Sequence, residues 1–111
     1  MAEDHTYRVL VRGRFTDLTD EGRQTLRAAQ EAHDTLAAAF TAEGTLAYDR
    51  SLDFFSFRIE LAAPDDIPER TLTDMAKARA AAAVEALGVD FRDLKTTTTN
   101  MNEVKIPSRR R

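Results

Sequence analysis

Apolar and polar residues alternate at the start of the chain. Tyr7, Val9, Val11, Gly13 and Phe15 fall on one side of an extended segment, and Arg8, Leu10, Arg12 and Arg14 on the other. This period of two predicts a strand over Tyr7 to Phe15 with one inward face. The period then lengthens. Between Asp20 and Phe40, the residues Leu26, Ala29, His33, Leu36 and Phe40 recur at spacings of three and four, the apolar stripe of a helix. Thr19 stands ahead of it as N-cap, with Asp20 and Glu21 in the first turn, where carboxylates favour the helix dipole. After Gly44 the pattern becomes extended again over Thr45 to Arg50 and Asp53 to Leu61, joined through Ser51 and Leu52 as a hairpin. In the second run Phe55, Phe57, Ile59 and Leu61 oppose Phe54, Ser56, Arg58 and Glu60.

Ala63 to Pro68 carries two Pro and two Asp, which break both periods and predict a loop. A second helix is predicted over Leu72 to Leu87. It begins at Pro68 as its first residue or after Thr71 with Asp74 as capping-box partner, and Gly88 ends it. Ala76, Ala80, Ala83, Val84 and Leu87 give that helix a face of small side chains that lets it approach a sheet closely. Phe91 to Thr99, ending in four β-branched Thr, predicts the last strand. Asn100 to Arg111 reads as an extension with room for a short strand at Val104 to Ile106. The order β-α-β-β-α-β predicts an α+β, ferredoxin-like domain: an antiparallel four-stranded sheet with two helices on one face. The length of 111 residues suits one domain over 1–111, with 1–6 and 107–111 as flexible tails.

Composition narrows the function classes. A hydrophobic fraction of 42% beside 32% charged residues matches a soluble globular chain, and no run of about 20 apolar residues is present. The acidic, polar start MAEDHTYR is unlike a signal peptide, so a cytoplasmic protein without membrane partners is expected. Zero Cys removes disulfides, thiolate metal sites and Cys nucleophiles. Two His, one of them near the N-terminus, argue against a multi-His metal site. Neither a metal nor another cofactor is expected. The net charge is −3, and without Arg109, Arg110 and Arg111 it is −3 less three, or −6. An acidic body argues against nucleic acid, whose phosphates call for a basic surface. The segment DFFSFRIEL superficially resembles the third-strand signature of RNA-recognition modules, but its alternation leaves only Phe54 outward. The preference for Arg over Lys, with abundant Ala, fits a GC-rich genome.

Two places carry candidate chemistry. His33 lies on the apolar stripe of the first helix, where it can serve as a general base toward the sheet or sit half-buried, bonded to a carbonyl or a Tyr hydroxyl. Asp34 cannot orient it, because adjacent helical residues point about 100° apart. The second place is the sheet face that the helices leave open. Arg12, Arg14 and Arg58 project from it, with Tyr48, Arg50 and Phe54 at adjoining positions, a set that suits a planar anionic ligand. The same face with Leu10, Leu46, Phe54 and Leu94 also suits a homodimer interface. The function expected is a homodimer that binds a small aromatic or apolar metabolite between sheet and helices, with a small aromatic or anionic molecule as its ligand. The alternatives are an enzyme with His33 as base, Tyr48 as proton donor and Arg58 placing an oxyanion, and a structural or regulatory dimer without ligand.

The segments YRVLVRGRFTDL, EGTLAYDRSLDFFSFRIEL and TTTTNMNEVKI together resemble an uncharacterised family of small actinobacterial proteins of about 110 residues, over nearly the whole chain. The resemblance implies a single domain and brings no activity with it. The element order is also similar to dimeric αβ-barrel proteins of antibiotic pathways, cofactor-independent monooxygenases and aromatic polyketide cyclases. That likeness implies a dimer and a role in secondary metabolism. The chain has no Trp such as those monooxygenases use.

Overall fold

The computed structural model describes residues 3–33 and 38–103. It is an α+β domain. Strand β1 (Asp4–Thr16) leads into helix α1 (Asp20–Ala28) and a short 3₁₀ turn (Gln30–His33); β2 (Thr45–Tyr48) and β3 (Phe54–Pro64) follow, then helix α2 (Glu69–Glu85) and β4 (Asp90–Asn100). The four strands form one sheet in the order β2-β3-β1-β4, and every neighbouring pair is antiparallel. Among the described residues no helix is long and apolar enough to cross a membrane.

β1 begins at Asp4, three residues into the segment read as an N-terminal tail, because β3 runs on to Pro64 and offers it a partner throughout. The pairing Asp4↔Pro64 and the bond from Asp65 N–H to the Glu3 carbonyl turn the expected loop at Ala63 and Pro64 into strand. The predicted strand at Val104 to Ile106 and the tail 107–111 lie outside the described residues.

Helix α1 starts as its sequence dictates, with the Thr19 hydroxyl accepting the Gly22 N–H at 3.0 Å. It ends twelve residues short of Phe40. Ala29 leaves helical geometry at φ −97°, ψ 5°, and the chain tightens into the 3₁₀ turn. Of the expected stripe, Leu26 is buried in α1, His33 closes the turn, Leu36 lies outside the described residues, and Phe40 has left the helix to lie under the Arg8 guanidinium, 5.3 Å from its ring centre. Helix α2 starts at Glu69 behind Pro68, which caps without a side-chain bond; the Thr71 capping box does not form. Beyond the last turn Gly88 takes φ 75°, which no Cβ clash would oppose, so backbone conformation alone calls for glycine there.

Both helices cover the same face. Leu26 of α1 and Ala76, Ala80 and Val84 of α2 join Val9, Val11, Phe15, Phe55, Phe57 and Ile59 in one core. Leu46 and Leu94, expected on the open face, belong to this core instead. Leu46 pairs with the inward Phe57, and Leu94 packs against the core beside Gly13. For Leu94 the reason is a bulge. The register passes from Arg12↔Lys95 to Arg14↔Arg92, so Gly13 faces both Asp93 and Leu94, and Asp93 takes φ 59°. A Cβ on Gly13 would meet the Phe55 ring at 2.5 Å and Leu94 at 2.8 Å, so only glycine lets the ring pack this closely.

Candidate functional site: the open sheet face

The antiparallel registers arrange the open face in rows. Ala47, Ser56, Arg12 and Lys95 stand directly opposite one another across all four strands. The neighbouring row holds Thr45, Arg58, Leu10 and Thr97; on the other side, Phe54 pairs with Arg14 and Arg14 with Arg92. Ala47 and Ser56 are small, and their neighbours are long. The result is a groove of about 880 Å³, lined in part by Arg12, Arg14, Ala47, Phe54, Ser56 and Arg58. Asp49, Asp93 and Lys95 also border it, giving four cationic side chains against two carboxylates.

Few of these charges are neutralised within the chain. Among the described residues no carboxylate lies within ion-pair distance of Arg12, Arg14, Arg58 or Lys95. Asp93 pairs outward with Arg92 at 3.7 Å, and Arg8 pairs with Glu60 at 3.0 Å further along the face. The Arg14 guanidinium lies over the Phe54 ring, 5.0 Å from its centre, while Phe54 is 55% exposed. Two polar atoms of the groove, Arg58 Nη1 and Ser56 Oγ, are shielded from solvent and have no hydrogen-bond partner among the described residues. Leaving a shielded donor unpaired costs about 1–3 kcal/mol, so the face as it stands holds unmet hydrogen-bonding capacity.

Arg12, Arg14, Arg58 and Phe54 are thus brought together. Arg50 is not: it is exposed in the turn after β2 and does not line the groove. Tyr48, expected to adjoin them, points the opposite way because it pairs with the inward Phe55. It is 1% exposed, and its hydroxyl donates to the Leu26 carbonyl in the last turn of α1. His33 Nδ1 sits 3.3 Å from the same hydroxyl, with the two rings 5.2 Å apart. Since the Tyr48 proton goes to Leu26, His33 donates and the Tyr48 oxygen accepts. Burial pushes the Tyr48 hydroxyl above its usual pKa of 10.0. His33 and Tyr48 therefore meet each other, with Arg58 on the far side of the sheet, and the three do not form one site.

The sequence missed Ala47, Asp49, Ser56, Asp93 and Lys95 as groove residues. Strand parity alone could have placed Ser56, whereas Lys95 needed the bulge in β4. Ala47 needed the hairpin register, and Asp93 needed the bulge. A smaller cavity of about 330 Å³ opens at the other end of the sheet beside Tyr7, Asp65, Glu69, Thr98 and Glu103. Burial raises the Tyr7 pKa there, and the Asp65, Glu103 and Asp66 carboxylates add to the shift. Among the described residues no group of His, Asp and Glu is placed to hold a metal ion.

The sheet, its one-sided helices and its basic groove define a small α+β domain with a ligand-sized depression on the open face. By sequence the chain belongs to the family of unknown function DUF6204, whose profile matches residues 1–111. No curated protein and no solved structure matches it.

Proposed function

We propose that this protein binds a small organic anion on the open face of a ferredoxin-like sheet. Strand order supports the fold. β1 and β2 run parallel with β3 between them and α1 linking them; β3 and β4 run parallel with β1 between them and α2 linking them. Two interleaved split β-α-β units of this kind make the ferredoxin-like arrangement. One observation carries the site: among the described residues Arg58 Nη1 and Ser56 Oγ lack partners, in a groove that also holds Arg12, Arg14 and Lys95. A carboxylate supplies what these donors want, and charge-assisted bonds to guanidinium are among the stronger ones available.

The test is a thermal-shift screen of organic anions, since a ligand stabilises by RT ln(1 + [L]/Kd). At least one anion is expected to raise the melting temperature of the wild type, and Arg12→Gln and Arg58→Gln should each reduce that gain. A screen without any shift, or shifts that survive both substitutions, would overturn the reading.

A homodimer through the same face is the second reading, favoured by the exposed Phe54 and, two rows further along the face, the half-buried Leu10. With Leu46 and Leu94 in the core, the apolar area left on this face is small. Face-to-face packing would also set Arg12, Arg14, Arg58 and Lys95 against their own copies, a like-charge contact. Light scattering on a sizing column decides: a dimer returns about twice 12.4 kDa, and Phe54→Asp should halve it.

A further inference from the structure

We infer that the groove is shaped for a flat aromatic carboxylate of one or two fused rings, with Ala47 and Ser56 as the floor that sets its width. This step rests on the reading of the open face as an anion site. Ala47 points to the open face, is buried, and lines the groove. Ser56, directly opposite, is the only other small side chain in its row. On β3 the floor is walled by the residues two positions away on either side, Phe54 and Arg58. Their Cα atoms are about 13 Å apart, from four residues at roughly 3.3 Å each. A van der Waals contact of about 3.5 Å at each wall leaves roughly 6–7 Å for ligand atom centres, the span of one or two fused six-membered rings.

The walls differ in chemistry. Phe54 presents a largely exposed aromatic ring, with the Arg14 guanidinium 5.0 Å from its centre, and its uncovered surface suits offset stacking with a second ring. Arg58 brings a planar guanidinium, matched to a carboxylate, whose Nη1 has no partner among the described residues, and Ser56 Oγ and Arg12 stand beside it. A phosphate is the poorer fit. Phosphate sites draw on free backbone N–H groups at helix N-termini or nests; here the lining comes from strands and the residues beside them, and no helix end borders the groove.

Isothermal titration with 2-naphthoate, 1-naphthyl phosphate, hexanoate and 2-naphthylmethanol tests this directly. We expect 2-naphthoate to bind at least tenfold more tightly than each of the others. Ala47→Leu, which fills the floor, should weaken 2-naphthoate at least tenfold while circular dichroism stays that of the wild type. If that variant does not fold, Ser56→Leu makes the same test from β3. Tighter or equal binding of the phosphate or of hexanoate, sensitive to Arg58→Gln, would overturn the ring and carboxylate assignment and leave the anion site standing. Unchanged affinity in a folded floor variant would overturn the floor. No binding by any anion of the panel would overturn this inference, whereas the anion site itself falls only if the broad screen fails as well.

Discussion

Removing one oxygen, by Tyr48→Phe, separates a structural from a catalytic role for the His33 and Tyr48 pair. The Tyr48 hydroxyl is buried and donates to the Leu26 carbonyl, which ends helix α1 at the point where the chain tightens toward His33. The substitution keeps the ring, its edge-on contact with Phe15 and its place in the core. It strips the Leu26 carbonyl of its donor in a dry setting, at a cost of about 1–3 kcal/mol. His33 loses its acceptor as well, but it is half-exposed and can turn to water, so little is added. For a domain of this size about 4 °C accompanies each kcal/mol, and a fall of roughly 4–12 °C in melting temperature is expected by calorimetry. Anion affinity at the groove should not move, because the sheet lies between the two places. A melting temperature within about 2 °C of wild type, together with lost ligand binding or turnover, would refute the reasoning and return Tyr48 to the list of functional groups.

Other expectations follow from the same geometry. The Tyr48 contribution to stability should be constant below about pH 9 and be lost above pH 10, where the unfolded Tyr48 ionises first and the folded one, its pKa raised by burial, keeps its proton. The slope reaches at most about 1.4 kcal/mol per pH unit per group, and in Tyr48→Phe part of this alkaline limb should vanish in pH-dependent urea unfolding. Phe57→Asp should leave the chain unfolded by circular dichroism, since an unpaired charge in the core costs several kcal/mol, whereas Leu10→Asp on the open face should fold; equal behaviour would invalidate the assignment of faces. Gly13→Ala should lower stability by about 1–3 kcal/mol in denaturant titration, because its methyl group must displace Phe55 and Leu94, and a neutral result would mean the bulge can relax.

Much of the fold was legible because period and punctuation are local. The alternation in β1 and β3, the Thr19 cap and the glycine after α2 each follow from residues within a few positions, and all appear where expected. The length of α1 was not legible. Its stripe continues in sequence past Ala28, but the hydroxyl that takes the Leu26 carbonyl comes from Tyr48, 22 residues away, and no periodicity encodes it. The candidate site divided along the same line. Arg12, Arg14, Phe54 and Arg58 could be gathered by parity within strands, whereas Tyr48 and Leu46 were assigned the wrong face because the short β2 has no clear alternation: Leu46, Ala47 and Tyr48 are all buried.

The sequence by itself determined which residues alternate, where helices may start and stop, that no thiol chemistry is present, and that the body is acidic. Those properties are set by side-chain type and spacing along the chain. Only the tertiary structure decided that an acidic protein carries a basic groove, since this depends on which strands become neighbours and in what register. The hairpin register sets Ala47 opposite Ser56, and the bulge at Asp93 shifts β4 so that Lys95 faces Arg12. A one-residue slip in either pairing would change which side chains stand opposite one another and dissolve the row.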